Sequence, residues 1–163
     1  MAITTPEQDA IFSQVQGAKY FSKIDLKNAF LQIPLTAEAS SLTVINTPFG
    51  LYQYNFLPFG LSCSPSIFQQ TIDQVIKSIP NTVAYQDDIL IYTNDLQQHN
   101  EVLTKLLSIL QRTNIRINAQ KSSFFKTSIP YFGFCLSGAG IFPDSIKVQP
   151  LAKAPAPTTT DSL

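Results

Sequence analysis

The chain has 163 residues, 44% of them hydrophobic and twelve of them Phe, which is enough for one domain-sized core and too apolar for a disordered tail. Net charge is zero but segregated: nine acids stand against four lysines through residue 104, and seven bases against two acids from Lys105 onward. An acidic centre beside a basic flank suits a site that holds cations on one side and a polyanion on the other; solvated charge scattered over two helices would give the same balance. No stretch approaches the roughly 18 apolar residues of a membrane span, and the opening has no basic start followed by an apolar run, so a soluble, cytoplasmic protein with no membrane partner is expected. Cys63 and Cys135 fall outside any CxxC spacing, which argues against a disulfide framework or zinc site and predicts two buried thiols.

In chain order, Thr5-Pro6-Glu7-Gln8 offers a cap, a first-turn proline and a capping-box partner, and predicts a short helix through Ile11, Phe12 and Val15 to Gly17. "KYFSKIDL" alternates and predicts a strand ending near Asp25. "SLTVIN" and "LYQYNF" flank the turn signal "TPFG" and predict a hairpin. Ser64-Pro65 opens a helix with Phe68, Ile72, Val75, Ile76 and Ile79 on one face, ended by Pro80. A strand pair follows around Asp87-Asp88. Asp95 caps a second helix carrying Val102, Leu103, Leu106 and Leu110, with Asn114 as a left-handed stop and His99 as a solvated residue without a role. "NIRIN" predicts a short strand, and "IPYFGFCL" with "GIFPD" a last hairpin around Ser137-Gly138-Ala139-Gly140. The fold class expected is α+β, an antiparallel sheet backed by two helices. The chain divides into a lead-in over 1–17, a main domain over 18–143 and a Pro- and Thr-rich linker over 144–163.

Asp87 and Asp88 pose the chemical question. Consecutive residues within a strand point to opposite faces, but at a hairpin tip between Tyr85 and Ile89 both can lean into one cleft. Two such carboxylates raise each other's pKa unless a cation lies between them, and hard oxygen donors recruit magnesium or manganese. Asp25, at the end of a neighbouring strand, would complete a cradle for two ions about 3.5–4 Å apart that clamp the attacking and leaving oxygens of a displacement at phosphorus. Read by itself, an Asp-Asp tip is also a common solvated turn.

"FSKIDLKNAFLQIPL", "NFLPFGLSCSPSIFQQTID", "VAYQDDILIYT", "INAQKSSFF" and "YFGFCLSGAGI" stand in the order and spacing of a reverse transcriptase palm, and resemble the gypsy-type LTR retrotransposons in particular. The resemblance runs from about Phe12 to Pro143. It implies an RNA-directed DNA polymerase in which Asp25, Asp87 and Asp88 hold two Mg2+ ions (Mn2+ as a substitute), with dNTP and an RNA or DNA template and primer as partners. It further implies that Phe30 excludes a ribose 2′-hydroxyl, that Phe59 and Gly60 line the nucleotide pocket, and that Lys121 lies near the leaving pyrophosphate. Tyr85, Phe132 and Gly133 would contact primer and template, the latter two with Tyr131 and Phe134 on the last hairpin, which resembles the primer grip. The same resemblance places most of the fingers, the thumb and RNase H segments in a larger polyprotein. That predicts exposed apolar surface here, and leaves open a catalytically inactive palm that serves as a relic or interaction module. A palm-type nucleotidyl cyclase is disfavoured, because the Leu57-Pro58-Phe59-Gly60 loop and the primer-grip hairpin would have no task in it.

Overall fold

Four antiparallel strands form the central sheet of the computed structural model, which describes residues 8–144. Their order is β4 (Thr82–Tyr85), β5 (Asp88–Thr93), β1 (Tyr20–Asp25) and β6 (Ser123–Lys126). Alternation along β1 sends Ser22 and Ile24 to one face and Phe21, Lys23 and Asp25 to the other. On the first face lie α3 (Ser64–Ile76) and α4 (Leu96–Arg112). Their buried residues Phe68, Ile72, Ile76, Val102, Leu103, Leu106 and Leu110 recur every three or four positions and close a core with Ile24, Ala84, Ile89 and Ile91. Asp95 accepts the Gln98 N–H at 2.9 Å to start α4, and Asn114, at φ 57°, ends it.

The second face is covered by α1 (Gln8–Val15) and a separate sheet of β7 (Ser128–Tyr131), β8 (Phe134–Ser137) and β9 (Gly140–Pro143). Here Ile11, Val15, Ile129, Tyr131 and Leu136 bury against Phe21, Val83 and Leu90. Between β1 and α3 the chain makes a 3₁₀ turn (Ala29–Gln32), α2 (Ala37–Ser41) and a hairpin of β2 (Ile45–Thr47) and β3 (Gly50–Tyr52). This excursion holds apolar residues outside the core, with Leu42, Phe49 and Leu51 between 72% and 88% exposed, in line with the expected apolar surface.

The expected α+β architecture is present, and four local expectations are corrected. "NIRIN" is not a strand; it keeps one isolated bridge between Leu26 and Ile117, because residues 118–122 turn back on themselves and the ladder resumes only at β6. "IPYFGFCL" is two strands, since Phe132 and Gly133 take φ 53° and 81°, the pair of positive values that a type I′ hairpin turn uses. Cys63 is exposed in the loop before α3, and Cys135 is only partly buried on β8, with Sγ 2.9 Å from Ser128 Oγ. His99 is fully buried rather than solvated. The Thr5 to Glu7 cap and the linker beyond Asp144 lie outside the described residues.

The burial of His99 follows from α4 laying this residue on the sheet, where two hydroxyls receive it. Thr93 Oγ1 donates its one hydrogen to the Asp95 carbonyl and lies 2.9 Å from Nδ1, which therefore carries the ring proton. Nε2 is then an acceptor and takes the Ser22 hydroxyl hydrogen at 2.7 Å, while Ser22 Oγ accepts the Phe125 N–H at 3.0 Å. Phe125 packs against the imidazole because a bulge in β6, with Phe125 at φ 52°, turns it to the helix side beside Phe124. Burial holds the His99 pKa below its ordinary value. The unfolded chain thus takes up this proton first, and stability falls as pH drops through about 6.5 toward the folded-state value. Urea midpoints from pH 7.5 to 5.5 will show this step in the wild type and not in His99→Gln, while His99→Ala will cost about 2–4 kcal/mol by leaving the Ser22 hydrogen without its acceptor and a cavity where the ring was.

Candidate active site

β4 ends at Tyr85 and β5 begins at Asp88, leaving Gln86 and Asp87 as a two-residue turn with Gln86 at φ 50°. The two aspartates therefore do not both sit at the tip, as expected from sequence: Asp87 is the turn residue and Asp88 is a strand residue. Asp88 is paired with Tyr85 on one side and with Asp25 on the other. Residues directly opposite in an antiparallel pair project to the same face with Cβ atoms about 4.5–5.5 Å apart, so Asp25 and Asp88 both face the β7–β8 hairpin. The Asp87 carbonyl accepts the Leu26 N–H at 2.8 Å and ties the turn to the end of β1.

Asp25 is held on its other side by the turn over 118–122. Its N–H donates to Ser122 Oγ at 3.1 Å, its carbonyl accepts the Asn118 N–H at 2.8 Å, and Ser122 Oγ donates to the Asn118 carbonyl at 2.7 Å. Lys121, on the same turn, exerts its charge on Asp87. Lys23, two residues before Asp25 and so on the same face, places Nζ 3.8 Å from Asp88 Oδ2. Burial pushes the pKa of both Asp87 and Asp88 up, and the charge of Asp25 adds to it; Lys121 opposes the rise at Asp87, and Lys23 opposes it at Asp88. The three carboxylates share one end of the sheet and one another's field. Among the described residues, however, no three acidic, imidazole or thiol groups come within ligating reach of a common point, and Asp88 leans toward Lys23.

Of the remaining expected site residues, Tyr85, Phe132 and Gly133 adjoin this end of the sheet. Tyr85 meets Phe132 edge-on at 4.5 Å, and Phe132 lies 4.2 Å from the Tyr131 ring, so the β7–β8 turn with Gly133 packs directly over the last residue of β4. Lys23, Asp88, Tyr131, Phe132, Gly133 and Asp144 line a small cavity there. The Tyr131 hydroxyl is buried without a hydrogen-bond partner among the described residues, and burial together with the Asp88 charge drives its pKa well up. Phe30, half-buried on the 3₁₀ turn, packs instead against the helix-side core, between Phe59 at 5.0 Å and Phe68 at 5.1 Å. Phe68 is core, whereas Phe59 and Gly60 are exposed in a turn anchored where Ser64 Oγ donates to the Pro58 carbonyl at 2.7 Å. Sequence reasoning missed Lys23 and Ser122. The spacing of Lys23 from Asp25 was a usable signal; Ser122 acts on backbone groups distant in sequence.

Comparison with known proteins gives this geometry a family. A family model described as reverse transcriptase (RNA-dependent DNA polymerase) matches residues 2–136, and the chain belongs to that family. It is 32% identical over 160 residues to the retrovirus-related Pol polyprotein from transposon opus of Drosophila melanogaster, covering 97% of this chain and 16% of that protein. The gypsy polyprotein of the same organism is 32% identical over 154 residues, covering 93% of this chain and 15% of the relative. The chain thus spans only about a sixth of the length of these relatives. A foamy viral protease-reverse transcriptase, solved in complex with an RNA/DNA hybrid, superposes with a TM-score of 0.87 at 24% identity over 99% of this chain and 22% of that one, which establishes the shared fold. Reverse transcriptases generally use divalent metal ions.

Raised carboxyl pKa values mean that the folded chain binds these protons more readily than the unfolded one. Asp87 and Asp88 therefore cost stability as pH rises above the ordinary carboxylate range, in full once their folded-state values are passed. Asp87→Asn removes that cost without breaking the Lys23 pair. At pH 7 without divalent ions, calorimetry should find its Tm higher than wild type by about 1–3 °C, the effect of less than 1 kcal/mol in a domain of this size.

Proposed function

We propose that this chain carries the nucleotidyl-transfer centre of an RNA-directed DNA polymerase. In the reaction, the primer 3′-hydroxyl oxygen attacks the α-phosphorus of a dNTP, a new P–O bond forms, and pyrophosphate leaves. The observation that carries the reading is the register of β1 against β5, which sets Asp25 opposite Asp88 with Asp87 in the adjoining turn. The donor set fits magnesium or manganese in kind: hard carboxylate oxygens at one end of the sheet, with Asp87 and Asp88 raised in pKa by burial and by the Asp25 charge, and a single lysine to answer each of them. Two such ions, when bound, would stabilise negative charge on the attacking and leaving oxygens.

The chain's own residues then have these parts. Asp25, Asp87 and Asp88 would hold the ions, and Lys23, paired with Asp88, opposes the upward shift that burial imposes on that carboxyl. Lys121 sits beside Asp87, where it can meet the charge of departing pyrophosphate. Phe30, backed by Phe68, presents a ring that leaves no space for a 2′-oxygen, and Phe59 with Gly60 borders the nucleotide. Tyr85, Phe132 and Gly133 form the surface against which the primer end rests. Template, primer and the remaining segments of a larger polyprotein are the partners in this reading. No helix among the described residues is long and apolar enough to cross a membrane, and a cytoplasmic setting is part of the proposal.

Primer extension on an RNA template with Mg2+ tests it. Asp25→Asn and Asp87→Asn should each lower the rate by about 100-fold or more, and Phe30→Ala should lower discrimination against ribonucleotides by about 10-fold or more. Equal extension by wild type and Asp87→Asn would remove the enzymatic claim. A second reading, an interaction module without chemistry, draws on the exposed Leu42, Phe49 and Leu51, and such an outcome would favour it.

A further inference from the structure

Gln69, on the sheet-facing side of α3, is 2% exposed, yet its neighbours on that face are apolar. Its Nε2 donates to the Ala84 carbonyl at 2.8 Å and to Asp73 Oδ1 at 2.9 Å, while Oε1 accepts the Gln86 N–H at 3.0 Å. Ala84 and Gln86 flank Tyr85, and Gln86 begins the turn that carries Asp87. One side chain therefore grips the hairpin on both sides of the point where it leaves the sheet. Gln86 is also the residue at φ 50°, a conformation a non-glycine side chain keeps only when its surroundings hold it.

Asp73, one helical turn further along α3, settles which way the amide points. An ionised carboxylate only accepts hydrogen bonds, so it takes the NH2 end of Gln69 and leaves the oxygen for Gln86. A flipped amide would set its oxygen against both Asp73 and the Ala84 carbonyl and its NH2 against the Gln86 N–H. Packing alone would be met by an apolar residue of the same volume, so the amide serves something that packing does not require.

We propose that Gln69, oriented by Asp73, is a positioning residue that fixes the angle at which Asp87 and Asp88 are presented. The inference rests on the reading of those aspartates as cation-holding groups. Residues that orient a metal's direct ligands typically matter by about 10–100-fold in affinity.

The test is Mn2+ binding to the full chain by electron paramagnetic resonance, with amide hydrogen exchange at Gln86 and Tm measured on the same samples. Gln69→Met should speed exchange at Gln86 and weaken Mn2+ binding by about 10-fold, and Asp73→Ala should shift both in the same direction by about 3-fold with little change in Tm. Ile72→Val, a core change elsewhere on α3, should lower Tm and leave Mn2+ affinity alone. Wild-type affinity in Gln69→Met alongside lost binding in Asp87→Asn would overturn the positioning role and leave the metal reading standing. Equal binding by wild type and Asp87→Asn would overturn the metal reading and this inference with it. Weakening by Ile72→Val as large as that by Gln69→Met would mean general loosening and would also overturn the proposal. If Gln69→Met does not fold, Asp73→Ala decides, and unchanged affinity there counts against it.

Discussion

The pairing of β1 with β5 in the register that sets Asp25 against Asp88 is the constraint from which the site follows. Side chains alternate along both strands, so the register that aligns these carboxylates also sends Ile24, Ile89 and Ile91 to the helices and Phe21 and Leu90 to the second sheet. A slip of one residue would turn Asp25 into the helix-covered core and Ile24 out of it, burying a carboxylate among isoleucines. Core and site are thus specified by the same alternation. The two-residue turn at Gln86 and Asp87 reinforces it, because a hairpin that short permits one register.

The site stands between two tight turns that face each other. Gln86 and Phe132 both adopt positive φ, and Tyr85 and Phe132 lock the turns together through an edge-on ring contact. Left-handed backbone at a glutamine and a phenylalanine, a buried phenol on Tyr131 with no partner among the described residues, and three acids at one end of a sheet are each unfavourable locally. They are concentrated where the chemistry is proposed. The apolar packing of two separate cores, one on each face of the sheet, supplies the stability against which this region is held.

What could be read from sequence was what local chemistry decides. Ser64-Pro65, the Asp95 cap and the Asn114 stop are set by a few adjacent atoms, and each is where the residues said it would be. The nearness of Asp25 to the Asp87-Asp88 pair was also legible, because a paired acid next to strand-like runs demands an explanation, although the described residues bring the three to no common ligating point. Their division of labour was not, since whether Asp88 belongs to the turn or the strand depends on the ladder with Asp25, 63 positions away in the chain. "NIRIN" misled because its isoleucines are satisfied by partial burial with no ladder to join. "IPYFGFCL" concealed a turn because phenylalanine gives no warning of a left-handed backbone. His99 looked like surface because the hydroxyls that receive it, on Ser22 and Thr93, are brought to it only by the sheet.

That last arrangement has an experimental use. His99 is the chain's sole imidazole, and its ring is fully covered, with each nitrogen engaged. A ring so enclosed can neither react with an acylating reagent nor trade its nitrogen-bound hydrogen for deuterium until α4 lifts away from the strands beneath. The protein therefore contains a single-site spectroscopic clock for the seating of that helix, readable with no label added.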